Sequence, residues 1–243
     1  MKPRQNPQPN YGIDAPLQGL IIVGVVVAAL AVGLGLRWTP SEAARTVASV
    51  ILSLVPTGLI LLLLMASYVK VEKFRHRDRM LNMLSWRGDE QVLDIGTGLG
   101  LLVIGAAKRL NTGKCIGIDI WRKQDLSHST LEAATLNAEL EGVSDKVEFR
   151  NADAREIPFP DRSFDCVLSN LCLHNISSPE GRAAACREIA RVLKPGGAAL
   201  ISDFRHTAEY AKTFREQGLE TTRTISFLIA PMLQRIVRAE KRL

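Results

Sequence analysis

Two long apolar runs come first along this chain, and short apolar runs alternate with longer mixed segments through the rest. From Leu17 to Leu36, and again from Thr46 to Val69, no residue is charged. A bilayer's hydrocarbon core needs ~20 helical residues, and each run is long enough to supply them. Gln18 lies at the edge of the first run, and Pro56 with Gly58 interrupts the second, which a packed membrane helix tolerates. Between them, Arg37-Trp38-Thr39-Pro40 through Arg45 makes a short polar turn with an interfacial tryptophan. The pattern predicts a transmembrane helical hairpin, with helices at about 17–36 and 46–69. A cleaved signal peptide is the competing reading of the first run, but its apolar region is too long and the polar tail ahead of it is wrong for one.

On either side of the hairpin the pattern changes. Residues 1–16 hold four prolines, two asparagines and two glutamines around Lys2 and Arg4, which predicts a flexible tail. Residues 70–87 continue helically, with Val71, Phe74, Met80, Leu81, Leu84 and Trp86 set among basic residues. Such a segment lies along the lipid headgroups, packs across a sheet with its basic face outward, or does both. Gly24, Ala28, Ala31 and Gly35 put four small residues on one face of the first helix. A face of that kind admits a close neighbour, either the second helix of the hairpin or a second copy of the chain as a homodimer.

Residues 88–243 read as one α/β domain. Strands are expected in the apolar run from Val92 that ends at Asp94, and at Lys114–Ile120, Val147–Asn151, Phe164–Ser169, Ala198–Asp203, 219–227 and 233–240. Helices are expected at Leu101–Leu110, Thr130–Leu140, 180–193 (stopped by Lys194-Pro195-Gly196-Gly197) and Ala208–Gln217. This alternation implies a doubly wound, mostly parallel seven-stranded sheet, preceded by the hairpin. Ligands collect at the carboxyl ends of such strands, where Asp94, Asp119, Asp153, Asn170 and Asp203 fall.

Composition and charge sharpen the first part of this picture. Hydrophobic residues make up 47% of the chain and mean hydropathy is +0.07, an excess concentrated in the first 70 residues. A net charge of +6 alone suggests nucleic acid or an anionic membrane. Its placement favours the membrane, because Lys70, Lys73, Arg75, Arg77 and Arg79 crowd directly behind the second span. They outweigh Arg37 and Arg45 of the connecting turn, so both termini and the α/β domain are expected on the cytoplasmic side. Nucleic acid is not expected as a partner. Cys115, Cys166, Cys172 and Cys186 form no CxxC pair and have no histidine at zinc spacing, so they read as small buried hydrophobes in a reducing compartment. No metal site is expected.

The candidate chemistry centres on Val92-Leu93-Asp94-Ile95-Gly96-Thr97-Gly98-Leu99-Gly100. A glycine-rich turn after a first strand suits a dinucleotide, but three details point elsewhere. The glycines alternate, with Leu101 where the dinucleotide pattern has its last glycine; Asp94 stands inside the strand; and the turn holds no lysine or arginine. A ligand with a positive centre and no phosphates fits better, and S-adenosylmethionine is one. Asp119, at the end of the second strand, is placed to accept both ribose hydroxyls.

These segments, with Gly117-Ile118-Asp119-Ile120, Asn151-Ala152-Asp153-Ala154, Phe164 to Asn170 and Leu193-Lys194-Pro195-Gly196-Gly197, resemble the ordered motifs of class I S-adenosylmethionine-dependent methyltransferases. Ile157-Pro158-Phe159-Pro160-Asp161 to Phe164-Asp165 is similar to the branch containing ubiquinone and menaquinone methyltransferases and many lipid or small-molecule enzymes. The resemblance implies a Rossmann-like methyltransferase fold. It also implies that Gly96, Thr97, Gly98 and Gly100 contact the amino-acid part of the cofactor, with Asp94 facing its ammonium. Asp119 would hold the ribose, Ile120, Asp153 and Ala154 the adenine, and Asn170 with Leu171 the methyl-donor side. Asp153 is open to a second reading as a turn-forming carboxylate, and Asp165 reads as the opening of the fourth strand.

Methyl transfer from a sulfonium needs alignment more than a catalytic triad, and a base only where the acceptor must lose a proton. His174 is a candidate for that base or for a helix-capping role. Asp203, Arg205, His206 and Tyr210 follow the fifth strand and are candidates for the acceptor site, and His128 either closes over the cofactor or is exposed. The hairpin favours a lipid-soluble or membrane-delivered acceptor: a quinone precursor, a phospholipid headgroup or another lipid. The alternative is a membrane-tethered S-adenosylmethionine-binding scaffold with little turnover.

Overall fold

The apolar runs fold as expected into two antiparallel helices, α1 (Pro16–Arg37) and α2 (Glu42–Ser67), in a computed structural model that describes residues 8–12, 16–122, 129–227 and 234–243. At the turn, Thr39 N–H and its hydroxyl both donate to Leu36 O (3.2 and 2.8 Å), closing α1. Ser41 Oγ accepts from Ala44 N–H and Glu42 sits in the first turn, so α2 begins with a capping side chain and a favourable charge.

Packing between the helices depends on glycine. A Cβ at Gly58 would stand 2.4 Å from Val26 Cγ2, and one at Gly33 would stand 2.7 Å from Leu52 Cγ. This interlock fixes the rotation of α1, and it turns the Gly24, Ala28, Ala31, Gly35 face away from α2. All four residues are exposed, and a Cβ at Gly24 or Gly35 would meet nothing within 4 Å. The small-residue face is therefore not the one that closes the hairpin. Both helices are long and apolar enough to cross a membrane, and only 11% of each apolar window is buried. A helix in a soluble core would be mostly covered; here Leu20 and Leu63 are 69% and 70% exposed.

One π-helical turn, Tyr68–Glu72, carries α2 into α3 (Lys73–Leu81). The helix expected over 70–87 stops at Leu81, where the Trp86 indole donates to the Leu81 carbonyl (2.8 Å). Lys73, His76, Met80 and Leu81 are buried, whereas the Arg75 side chain is 67% exposed. Packing across the sheet, with a basic side chain outward, is thus found for this segment.

The sheet has the order β3-β2-β1-β4-β5-β7-β6, with β1 (Gln91–Ile95), β2 (Lys114–Asp119), β3 (Val147–Asn151), β4 (Phe164–Asn170) and β5 (Leu193–Asp203) parallel. β7 (Gln234–Lys241) runs antiparallel between β5 and β6 (Leu219–Phe227). β5 starts five residues before the expected Ala198, because Leu193 already pairs with Phe164 ahead of an irregularity at Asp165.

Alternation along these strands builds two cores. Val92, Leu168 and Leu200 join α3, α4 (Leu101–Ala107) and α5 (Leu131–Leu140) on one face. Leu93, Val167, Ala199 and Ile201 join α6 (Pro179–Val192) and α7 (Thr207–Glu216) on the other. Caps set the entry of two of these helices. Thr130 Oγ1 accepts from Ala133 N–H, and Ser178 Oγ accepts from Gly181 N–H with Pro179 at the first helical position.

Candidate functional site

The carboxyl ends of β1, β2 and β4 open into one cleft. The chain leaves β1 through Gly96 at φ 69°, and a Cβ there would stand 2.2 Å from Cys172 Sγ, so only glycine fits. Gly96 and Thr97 N–H both donate to Ile118 O (2.8 and 3.1 Å), hooking the turn onto β2. Gly98 N–H donates to Asp119 Oδ2 (2.8 Å), and Trp121 N–H donates to Asp119 Oδ1 (2.8 Å). The Trp121 indole then donates back to Gly98 O (3.1 Å), so Asp119 and Trp121 brace the turn from the β2 side.

Asp94 is 1% exposed and accepts from Thr97 Oγ1 (2.8 Å) and from Val103 N–H in the first turns of α4 (3.2 Å). Burial pushes its pKa up to about 7, against the pull of those two hydrogen bonds, and the charge of Asp119 adds to the rise. Asp153 accepts from Arg155 N–H (2.8 Å) and pairs with the Arg155 guanidinium (2.6 Å), which holds its carboxyl below the usual range. That is the turn-forming arrangement, and Asp153 nevertheless stands on the cleft wall.

Ten of the expected cofactor residues come together there: Asp94, Gly96, Thr97, Gly98, Asp119, Ile120, Asp153, Ala154, Asn170 and Leu171. Gly100 does not. It occupies the N-cap position of α4 at φ 87°, and its role is to start that helix.

The residues expected around the acceptor are placed differently. Asp203 is fully buried and accepts from His174 N–H (3.1 Å), Phe204 N–H (2.8 Å) and the Tyr210 hydroxyl (3.3 Å). Tyr210 is 1% exposed in the core beneath α7. His206 starts α7 at φ 57° with Nδ1 2.8 Å from Glu209 Oε1, and the Arg205 guanidinium lies over the Phe204 ring. None of these lines the cleft, and neither does His174. The His174 ring packs on Phe204 with Nδ1 2.8 Å from Asp203 Oδ1, at ion-pair distance but out of line for a hydrogen bond. His128 lies outside the described residues.

The fit to a ligand follows from the wall itself. Asp94 and Asp119 on the wall present carboxylate acceptors. Such a wall calls for a ligand rich in donors, which an ammonium group and two ribose hydroxyls supply. The glycine turn carries no cation for a pyrophosphate.

Sheet order, glycine turn and acid-lined cleft together resemble those of class I S-adenosylmethionine-dependent methyltransferases, and the cleft fits S-adenosylmethionine as the cofactor. Residues 92–197 match the family described as "Methyltransferase domain". The chain is 39% identical over 130 residues to the 27-O-demethylrifamycin SV methyltransferase of Amycolatopsis mediterranei, a match covering 54% of this chain and 44% of that protein. It is 29% identical over 151 residues to the ubiquinone/menaquinone biosynthesis C-methyltransferase UbiE of Vibrio cholerae, covering 62% of this chain and 53% of that one. The chain thus spans about half the length of the curated relatives it matches. Its fold is shared with the YcgJ protein of Bacillus subtilis, with a TM-score of 0.56 at 20% identity over 70% of this chain and 99% of that chain.

Several site residues escape the sequence. Tyr11 and Lys73 line the cleft although one precedes the hairpin and the other follows it. A lone aromatic in a tail of prolines and amides is the only signal for Tyr11. His76 is 3% exposed, with Nε2 2.8 Å from Ser202 Oγ and Nδ1 2.8 Å from Ser226 Oγ. Burial, and then the Arg79 charge, push its pKa down to about 4, so a neutral imidazole ties α3 to β5 and β6. Within a run of basic residues nothing marks it out.

Proposed function

We propose that the chain is a membrane-anchored methyltransferase that moves a methyl group from S-adenosylmethionine to a lipid-soluble acceptor. The observation that carries this reading is continuity. The apolar helix α2 passes through one π turn into α3, and the first residue of α3, Lys73, stands on the wall of the cofactor cleft. A site built onto the exit of an apolar hairpin meets acceptors dissolved in the bilayer. The five basic residues behind α2 favour the cytoplasmic face for the domain.

The cofactor supplies an electrophilic methyl on a sulfonium. The protein's work is to align it with the acceptor. Asp119 would bond the ribose, Ile120, Asp153 and Ala154 would border the adenine, and Asp94 would face the ammonium. Asn170 and Leu171, where β4 ends, would border the methyl. His174 lies just behind that edge, next to Asn175 of the wall but off the cleft and out of line with Asp203 for a hydrogen bond, and no proton step is assigned to it. Among the relatives, one is named for a quinone C-methylation and one for methylating 27-O-demethylrifamycin SV, which supports a small acceptor and leaves C- and O-transfer both open.

The test uses the full chain in phospholipid vesicles with methyl-labelled S-adenosylmethionine, offered membrane extract or aqueous extract. Label entering the organic-soluble fraction supports the reading, and label entering only water-soluble products overturns the lipid acceptor. Binding of the donor without labelled product from either extract points to the tethered scaffold instead.

A further inference from the structure

The segment ahead of the hairpin reads from its composition as a loose tail, but Asn10–Gly12 is held against the domain from three sides. Asn10 N–H donates to Asn137 Oδ1 (2.9 Å), and its carbonyl accepts from Asn137 Nδ2 (2.8 Å), a reciprocal amide pair. Tyr11 is 7% exposed, donates its hydroxyl to Glu141 Oε1 (2.8 Å), and meets Phe74 edge-on with ring centroids 5.6 Å apart. The Lys73 ammonium donates to the carbonyls of Tyr11 (2.9 Å) and Gly12 (2.7 Å). Ordering a chain costs ~1–2 kcal/mol per residue, so a tail without a task would not be held this way.

The anchors also reach the cofactor cleft. The Asn137 Nδ2 that holds Asn10 donates as well to Leu99 O in the glycine turn (3.0 Å), and Asn137 is 3% exposed. Tyr11 and Lys73 line the cleft together with Leu99, Leu101 and Leu102. Both ends of the hairpin therefore meet at the glycine-turn end of the site.

We propose that Asn10–Gly12 is a strap belonging to the cofactor site. It closes the glycine-turn end of the cleft, and the cofactor exchanges only when the strap is released. Asn137 links the two events, because one side chain holds the strap and the turn at once, and any shift of Leu99 on ligand binding is felt at Asn10. The inference rests on the assignment of S-adenosylmethionine to this cleft.

Hydrogen exchange on the full chain, with S-adenosylhomocysteine as the probe, tests both. Saturating ligand is expected to slow exchange of the Asn10 and Gly12 amides by about tenfold or more. Lys73→Met, which keeps the stem and removes the ammonium, is expected to weaken S-adenosylhomocysteine by about tenfold, through faster release. Unchanged exchange at a strap whose protein demonstrably binds the ligand overturns the strap, whether or not the variant folds. Absence of any binding by the wild-type chain overturns the cofactor assignment, and the strap with it.

Discussion

Asp119 and Asp203 end parallel strands at the same edge of one sheet, and each accepts two backbone amides. What stands beyond each acid differs. Past Asp119 the cleft is open, and its carboxylate faces the space where a ligand would lie. Over Asp203, α7 brings the Tyr210 hydroxyl and the chain brings the His174 ring, leaving the acid with no exposed surface. A strand-end acid is thus left open to a ligand only where no helix covers it; where one does, the same residue becomes a core anchor.

The largest effect should come from the covered acid. Asp203→Ala would strand the His174 amide, the Phe204 amide and the Tyr210 hydroxyl in the interior. Buried donors left unpaired cost about 1–3 kcal/mol each, so a loss of roughly 4 kcal/mol in stability is expected. For a chain of this size that lowers Tm by roughly 10 °C, readable by calorimetry. Affinity for S-adenosylhomocysteine in the folded protein should hold. A Tm unmoved, or cofactor affinity lost with Tm intact, would break the contrast between the two acids.

The open acid should behave the other way. Asp119→Ala removes the proposed ribose acceptor and unties Gly98 and Trp121, and about a hundredfold weaker S-adenosylhomocysteine is expected by titration calorimetry. Asp165→Ala is the matched control, since Asp165 sits at the far edge of the sheet on Gln91 N–H and the Lys194 ammonium. Its affinity should stay within about twofold of the parent. The reverse order of effects would undo the ribose assignment.

Most of the fold was legible in the sequence because its signals are local. Period-two and period-3.6 patterns and the alternate glycines each act within a few positions. The acids of the cofactor half were legible for the same reason, since Asp94 and Asp119 follow apolar runs directly. The acceptor half was not, because whether Asp203 and Tyr210 reach a ligand depends on where α7 lands. Tyr11 and Lys73 lay further beyond reach: they are 62 residues apart, and only the folded hairpin brings them together. For the small-residue face of α1, only the reading that packs it against α2 is overturned. Spacing shows that a close approach is possible on that side, but the Val26–Gly58 and Leu52–Gly33 contacts decide which side α2 takes.

Asp94 offers the finest separation of the two kinds of acid, because it is buried like Asp203 and lines the cleft like Asp119. Burial raises its pKa from 3.8 to about 7. Between those values the folded state binds more protons than the unfolded one, so this group's contribution to stability falls as pH rises through the window. Cofactor binding should run in the opposite sense. An ammonium opposite Asp94 favours the carboxylate, so binding below about pH 7 must first expel a proton. Affinity for S-adenosylhomocysteine should therefore drop by up to about tenfold per pH unit as pH falls below 7, with a plateau above it. Calorimetry in buffers of different ionisation enthalpy would show proton release approaching one per ligand on the acid side. Asp94→Asn should bind weakly and lose this slope. A wild-type affinity flat from pH 5 to 8 would mean that Asp94 braces Thr97 and Val103 without facing the ligand, and would move it to the side of Asp203.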